Sequence, residues 1–310
     1  MAETTLAGAG RPASATAGTG RWRQALGRLL KHAPLLLVSL WIIVPLVWDV
    51  GTSFKGRQEY YATVNTLLPR YPTLINYEFM LTQMGNLPVY FVNSLLFSVG
   101  TVVVTVAVSS LAAYAFARME FRGRDLIFYA LVMSLFIPRS GGLMALYELM
   151  SFLKLRNSIL GLILLFAAAV PVPIFIMRQA FLNLPRELEE SARVDGAGWL
   201  RVFWTIAVPL TTSAVVVVAI LTFVVTWGDF LVTFTMIDKD SQSTLAIGVR
   251  KVMVGAGGYQ AFLSDQFAGL FATQAADAAM LLTAALPVVL IYLFLQRWFM
   301  RGVTEGALKF

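Results

Sequence analysis

The chain contains no cysteine and a single histidine, and Asp, Glu, Lys and Arg together make up only 13% of its 310 residues. Without cysteine there are no disulfides, no thiolate zinc sites and no cysteine nucleophile. One histidine, His32, cannot build a multi-histidine metal site. It lies where a basic stretch meets the first apolar run, the ordinary place of an interfacial side chain. The shortage of charge says most. Soluble domains average about 25% charged and about 45–50% apolar residues. This chain is 58% hydrophobic, with a mean hydropathy of +0.73. Water is therefore not its main solvent, and its core must be made of helices that face lipid on one side and each other on the other. The net charge of +7 fits the same picture. Basic residues fall mostly between apolar runs, the pattern of membrane topology rather than of nucleic-acid binding.

What the sequence does have is apolar runs long enough to cross a bilayer, for which roughly 20 residues suffice. There are six: Ala33–Phe54, Val89–Ala117, Leu126–Phe152, Ile159–Phe181, Ala207–Ile237 and Gln274–Met300. They predict an all-α integral membrane protein with six transmembrane helices. Several exceed a straight span, so tilt is expected. The third is interrupted by Pro138, Arg139, Gly141 and Gly142, and Pro45, Pro171, Pro173 and Pro287 are further expected kinks. Fifteen of the 24 Lys and Arg residues occupy the N-terminus, the second and fourth connections and the C-terminus. Both termini are therefore expected on the cytoplasmic side. Residues 1–31 read as a flexible cytoplasmic tail, 32–88 as the first span with an outer loop, 89–300 as the core, and 301–310 as a cytoplasmic C-terminal tail. The basic residues Arg21, Arg23, Arg28 and Lys31 follow the small-residue N-terminus, so the first run is expected to be retained rather than cleaved as a signal peptide. Two outer connections, Gly56–Pro88 and the glycine-rich Asp238–Thr273, are long enough to be functional.

The most informative stretch is the connection after the fourth run, from Leu184 to Ala197. Pro185 suits the first position of a short helix. Glu187, Glu189 and Glu190 favour the positive end of its dipole. Gly196 suits the left-handed residue that ends it. A helix of about ten residues is marginal by itself, and Leu188 and Ala192 share one face. It therefore docks, either on the protein's own helix ends or in a partner.

Glu190-Ser191-Ala192, then Asp195-Gly196-Ala197, then Pro209-Leu210, resemble the EAA loop of binding-protein-dependent ABC importer permeases, with Ser191 where Ala is usual. Trp227-Gly228-Asp229-Phe230 resembles the Trp-Asn-Asp-Phe stretch of carbohydrate-type permeases, with Gly228 replacing Asn. Leu286-Pro287, Gln296-Arg297-Trp298-Phe299 and the segment from Arg301 to Lys309 look like that subfamily's C-terminus. The likeness runs from Val89 to Lys309 and is nearest to maltose-type second permease subunits. It implies that Glu190, Ser191, Ala192, Asp195, Gly196 and Ala197 form a coupling helix seated in a cytoplasmic ATPase. It further implies a second permease chain, two ATP-binding cassette subunits and an extracellular or periplasmic solute-binding protein as partners. ATP and Mg would be bound by those cassette subunits and no cofactor by this chain, which has no Gly-x-x-x-x-Gly-Lys-Ser/Thr phosphate loop and is expected not to be an enzyme. The implied solute is a di- or oligosaccharide, or else a polyol or glycerol phosphate.

An acid inside a span is a functional hypothesis by default. Asp229 with Trp227 could line a sugar pathway, the alternative being a structural hydrogen bond and an aromatic anchor. Arg139 lines the pathway if the third run spans unbroken, and lies at the outer surface if that run breaks at Pro138. Six spans and the EAA-like loop disfavour the rival reading, a secondary transporter driven by an ion gradient.

Overall fold

Segments that dissolve in lipid must satisfy every backbone N–H and C=O internally, and a helix does this within one stretch of chain. The computed structural model describes residues 17–62, 66–83, 86–137, 139–254, 267, 269–270 and 272–307, and the described residues contain helices and no strand. The principal helices are α1 (Ala17–Ser53), α2 (Leu87–Arg118), α3 (Arg124–Met133), α4 (Leu143–Phe152), α5 (Ile159–Ala167), α6 (Pro171–Leu182), α7 (Arg186–Val194), α8 (Thr212–Trp227), α9 (Leu231–Met236), α10 (Leu245–Val254) and α11 (Thr273–Ala307).

Three stretches cross as single straight spans by length and apolarity: Lys31–Ser53 in α1, Leu87–Arg118, and Thr273–Arg297 in α11. Two more are bent pairs. One joins α5 to α6 at 52°, and the other joins Trp199–Leu210 to α8 at 78°. The first bend has a clear cause, because Pro171 starts α6 and Pro173 sits in its first turn. These prolines therefore begin a helix rather than kink one, whereas Pro45 and Pro287 lie inside continuous helices. The third apolar run is two helices, α3 and α4, parted by 3-10 turns at Ser134–Phe136 and Arg139–Gly142. Ile137 is extended (φ −88°, ψ 113°), as expected before a proline; Pro138 itself lies outside the described residues. The N-terminal boundary also differs from expectation. Helix α1 begins at Ala17 and runs without a break through residue 31, because Arg, Gln, Ala and Leu are all good helix formers. Residues 1–16 and 308–310 lie outside the described residues, as do 255–266 of the second outer connection. The C-terminal segment from Arg301 continues α11 to Ala307.

Helix α2 is the hub. It packs against α5, α6, α8 and α10, and the 32-residue length gives it neighbours at both ends of the bundle. One apolar cluster gathers Tyr114, Phe116, Phe181, Phe203 and Met177 at the Arg118 end. Others gather Phe97, Phe166 and Met236, and Tyr90, Phe223, Trp227 and Met280, towards the opposite end.

At that opposite end the connections are pinned by side chains. Asn93 Nδ2 donates to the carbonyls of Ser241 and Ser243, at 2.9 and 3.0 Å, and Ser94 Oγ accepts the Leu245 N–H at 2.7 Å. Asp240 accepts from Asn86, Tyr90 and Lys251 at 2.6–2.7 Å, and the Lys251 ammonium, ahead of its other partners, holds the Asp240 carboxyl below the usual range. Lys55 is fully buried, donates to the Thr66 carbonyl at 2.5 Å and lies 5.2 Å from the Trp48 ring centroid, which ties the chain at Thr66 to the end of α1.

Close approach of backbone sets α5 in place. A Cβ on Gly161 would stand 1.9 Å from the Leu155 carbonyl oxygen, while one on Gly141 would meet nothing within 4 Å. Gly161→Ala is expected to destabilise the fold by about 1–3 kcal/mol through overpacking. Thermal unfolding in mild detergent checks this, with Gly141→Ala melting as the unaltered chain does.

Candidate functional site

Helix α7 forms where the sequence puts a proline, three acids and a glycine in order. Pro185 occupies the N-cap position (φ −57°, ψ 130°), one residue before the first helical position expected for it. The C-terminal end is a Schellman motif. Gly196 has φ +83°, its N–H donates to the Arg193 carbonyl at 3.0 Å, and the Ala197 N–H reaches back to the Ala192 carbonyl at 2.9 Å. The last carbonyls of the helix are thereby satisfied and the chain turns at once into Trp199–Leu210.

One of the three glutamates is not on the surface. The Glu189 side chain is 3% exposed, and its Oε1 accepts from Arg118 Nε at 2.8 Å. Its Oε2 accepts from the Tyr114 hydroxyl at 3.1 Å, with the Arg193 guanidinium 3.7 Å away. Arg118 also donates through Nη2 to the Leu184 carbonyl at 2.7 Å. A single guanidinium thus holds both the helix and the residue leading into it. Tyr114 packs edge-on against Phe181 and Trp199, and Arg193 lies 3.5 Å from the Trp199 ring centroid. A buried carboxylate with these donors is satisfied; removing one partner of such a pair costs about 3–5 kcal/mol, because the other charge is left stranded.

The remaining residues of the expected coupling set face outwards. Glu190, Ser191, Asp195 and Gly196 are exposed, and Ala192 and Ala197 are half-buried. Around them stand Leu188, Val194, Leu200 and Trp204, all exposed, with Val194 at 89%. The helix is gripped from behind by one acid and presents another acid and several apolar side chains in front. Val194 is almost uncovered and Leu188 is 46% exposed, so the docking face shared by Leu188 and Ala192 stays partly open on the leucine side.

The expected pathway residues Trp227 and Asp229 lie at the end of α8 and just before α9. Trp227 is buried, stacks on Phe223 at 5.4 Å and 15°, and donates from Nε1 to the Ala284 carbonyl of α11 at 2.8 Å. Asp229 Oδ1 accepts the Thr233 N–H at 2.9 Å and so caps the first turn of α9. Arg139 begins the 3-10 turn Arg139–Gly142, and its side chain lies outside the described residues. Neither Trp227 nor Asp229 lines the cavity beside α2. That cavity, of about 880 Å³, opens between α2, α3, α4, α6 and α8, and its wall is apolar apart from hydroxyls such as those of Thr101, Thr105, Ser134 and Thr222.

Sequence reasoning treated Glu187, Glu189 and Glu190 as one acidic turn and did not single out Tyr114 or Arg118. The available signal was weak: Tyr114 and Arg118 are four residues apart, hence on one face of α2, at the basic end of a span. Their partner sits 71 and 75 residues further on, and no local pattern announces such a pairing.

The family described as binding-protein-dependent transport system inner membrane component matches residues 12–305. The chain is 29% identical to the galactooligosaccharides transport system permease protein GanQ of Bacillus subtilis, over 93% of this chain and 97% of that one. It is 31% identical to the arabinooligosaccharides transport system permease protein AraQ of Bacillus subtilis, over 91% of this chain and 100% of that one. A chain in the crystal structure of a bacterial ABC transporter involved in the import of the acidic polysaccharide alginate shares the fold. Its TM-score is 0.77 at 18% identity, over 93% of this chain and 100% of that one.

Gly196 has open space around it, so a side chain there is penalised by conformation alone. A left-handed φ costs a branched residue about 1–2 kcal/mol. In Gly196→Val, protection of the Ala197 amide against hydrogen exchange is expected to fall about 5–30-fold. Gly196→Asn should lose less, and mass-spectrometric exchange over residues 186–198 reads both.

Proposed function

Because the chain belongs to the family of binding-protein-dependent transport system inner membrane components, we propose that it forms one half of the pore of an ATP-driven importer for a di- or oligosaccharide. The observation that carries this reading is α7, a short helix held rigidly from inside by Glu189 and offering Glu190, Asp195 and a rim of apolar side chains outside. Such a knob fits a cleft in a partner. Glu190 pairs there with a basic residue of an ATP-binding cassette subunit, and Leu188 and Val194 lose their exposed surface. Gly196 sets the turn that aims the helix.

The basic connections and both termini lie on the cytoplasmic side of a bacterial-type cell membrane, in keeping with the distribution of Lys and Arg. The pore is completed by a second permease chain, two cassette subunits supply ATP hydrolysis, and a solute-binding protein delivers the sugar to the outer face. When the cassettes close on ATP, they push on α7 and the spans rock between inward-open and outward-open arrangements. The sugar class is supported by relatives whose names specify galactooligosaccharides and arabinooligosaccharides. The 880 Å³ cavity carries the hydroxyls of Ser134 and Thr222 on a mostly apolar wall, a lining that suits a neutral sugar better than a charged solute.

The test is purification of the tagged chain from its native membrane in gentle detergent, beside the double variant Asp195→Arg, Gly196→Pro. Proline cannot adopt φ +83°, so the variant destroys the turn that presents the helix. A cassette ATPase and a second permease are expected with the unaltered chain, and recovery of the ATPase should drop about tenfold or more with the variant, equivalent to a loss of at least ~1.4 kcal/mol. A chain that emerges alone in both preparations, even after crosslinking, would refute the importer reading. Uptake that collapses with a protonophore while cellular ATP is held constant would point instead to an ion-driven carrier.

A further inference from the structure

Building on the importer reading, we infer that Arg118 and Glu189 are positioning residues for energy coupling: their buried ion pair makes α7 move as one body with α2. The two residues join elements that the chain itself connects only by way of α3 to α6. The contact is short, dry and directional. Both side chains are at most 4% exposed, at 2.8 Å, and the same guanidinium reaches the Leu184 carbonyl just before α7 begins. Tyr114, one turn back on α2, takes the second carboxylate oxygen. Two residues of α2 thus grip both oxygens of a carboxylate on α7.

Helix α2 in turn packs against α5, α6, α8 and α10. Thr101 and Thr105 of α2 line the cavity. Further along, Tyr90, Asn93 and Ser94 of the same helix hold Asp240, Ser241, Ser243 and Leu245 at the opposite end of the bundle. A displacement of α7 is therefore passed to a continuous 32-residue helix that borders the cavity and is fastened to the far connection. An α7 held by apolar contacts alone could slide or roll under load, since dispersion contacts have no preferred direction. A carboxylate held by a guanidinium and a phenol has one geometry.

A cysteine pair tests this, because the chain has no cysteine of its own. Arg118→Cys, Glu189→Cys removes both charges together and so strands neither. The variant is assembled with its partner permease, binding protein and cysteine-free cassette subunits in proteoliposomes. Solute imported per ATP hydrolysed is measured before and after the thiols are joined with a short reducible bis-thiosulfonate linker. Unlinked, the ratio is expected to fall, because nothing directional then ties α7 to α2. Linked, it should return towards the unaltered value, and cleavage of the linker should abolish the recovery. A ratio that is the same in linked and unlinked forms would overturn the proposal, because a link between α2 and α7 would then not matter. If the cysteine pair does not assemble, Glu189→Gln decides, since the amide keeps the shape and part of the hydrogen bonding. An intermediate ratio with the ATPase still co-purifying supports the clasp, and an unaltered ratio overturns it. If the unaltered chain itself brings down no ATPase, the importer reading fails and this inference fails with it.

Discussion

Everything in this molecule answers to the cost of an unpaired polar group out of water. In the apolar runs the backbone meets that demand by staying helical, which is why α2 can run for 32 residues without interruption. Where the chain must turn, the demand passes to side chains. Asn157 accepts the N–H groups of Asp238 and Lys239 through one oxygen, Asn93 covers two carbonyls of the following connection, and Ser94 covers the Leu245 N–H. The connection from Asp238 to Leu245 is thus closed by amides and a hydroxyl projecting from neighbouring elements.

The same constraint separates two kinds of buried charge. Lys55 is enclosed beside Trp48 and a single backbone carbonyl, and it serves to fasten an outer loop. Glu189 is enclosed by a guanidinium and a phenol that belong to a different helix, and it fastens α7 to α2. Its neighbour Glu190 has the same chemistry and remains on the surface. One helical step decides which acid is an internal anchor and which is available to a partner.

The class of fold was legible because hydropathy is a summed property: each apolar run is built mainly of helix in the structure. The left-handed Gly196 was legible too, since the turn that ends a helix requires that conformation of one residue. Continuity was less so. The sequence shows Pro171 and Pro173 within an apolar run but not that they start the second half of a bent span, and it gives no angle for the turn near Thr211. Among site residues, the outward set from Glu190 to Ala197 was readable as a local pattern. The Arg118–Glu189 pair was not, because a contact across 71 residues depends on how α2 and α7 come to lie together. Nor does the sequence show the bonds that Trp227 and Asp229 make, to the Ala284 carbonyl and the Thr233 N–H.

Helix α1 carries an implication for how the chain is made. Its spanning window is 0% buried within this chain, and its main partner is α11, at the far end of the sequence. Roughly 220 residues separate Ser53 from Thr273. At about 5–20 residues per second, the ribosome takes on the order of tens of seconds to supply them. Throughout that interval α1 is in the bilayer without its neighbour, stable in lipid because every backbone bond it needs is its own. Membrane insertion and tertiary assembly are therefore separate events for this helix, and its final seat is chosen late, when the last span arrives.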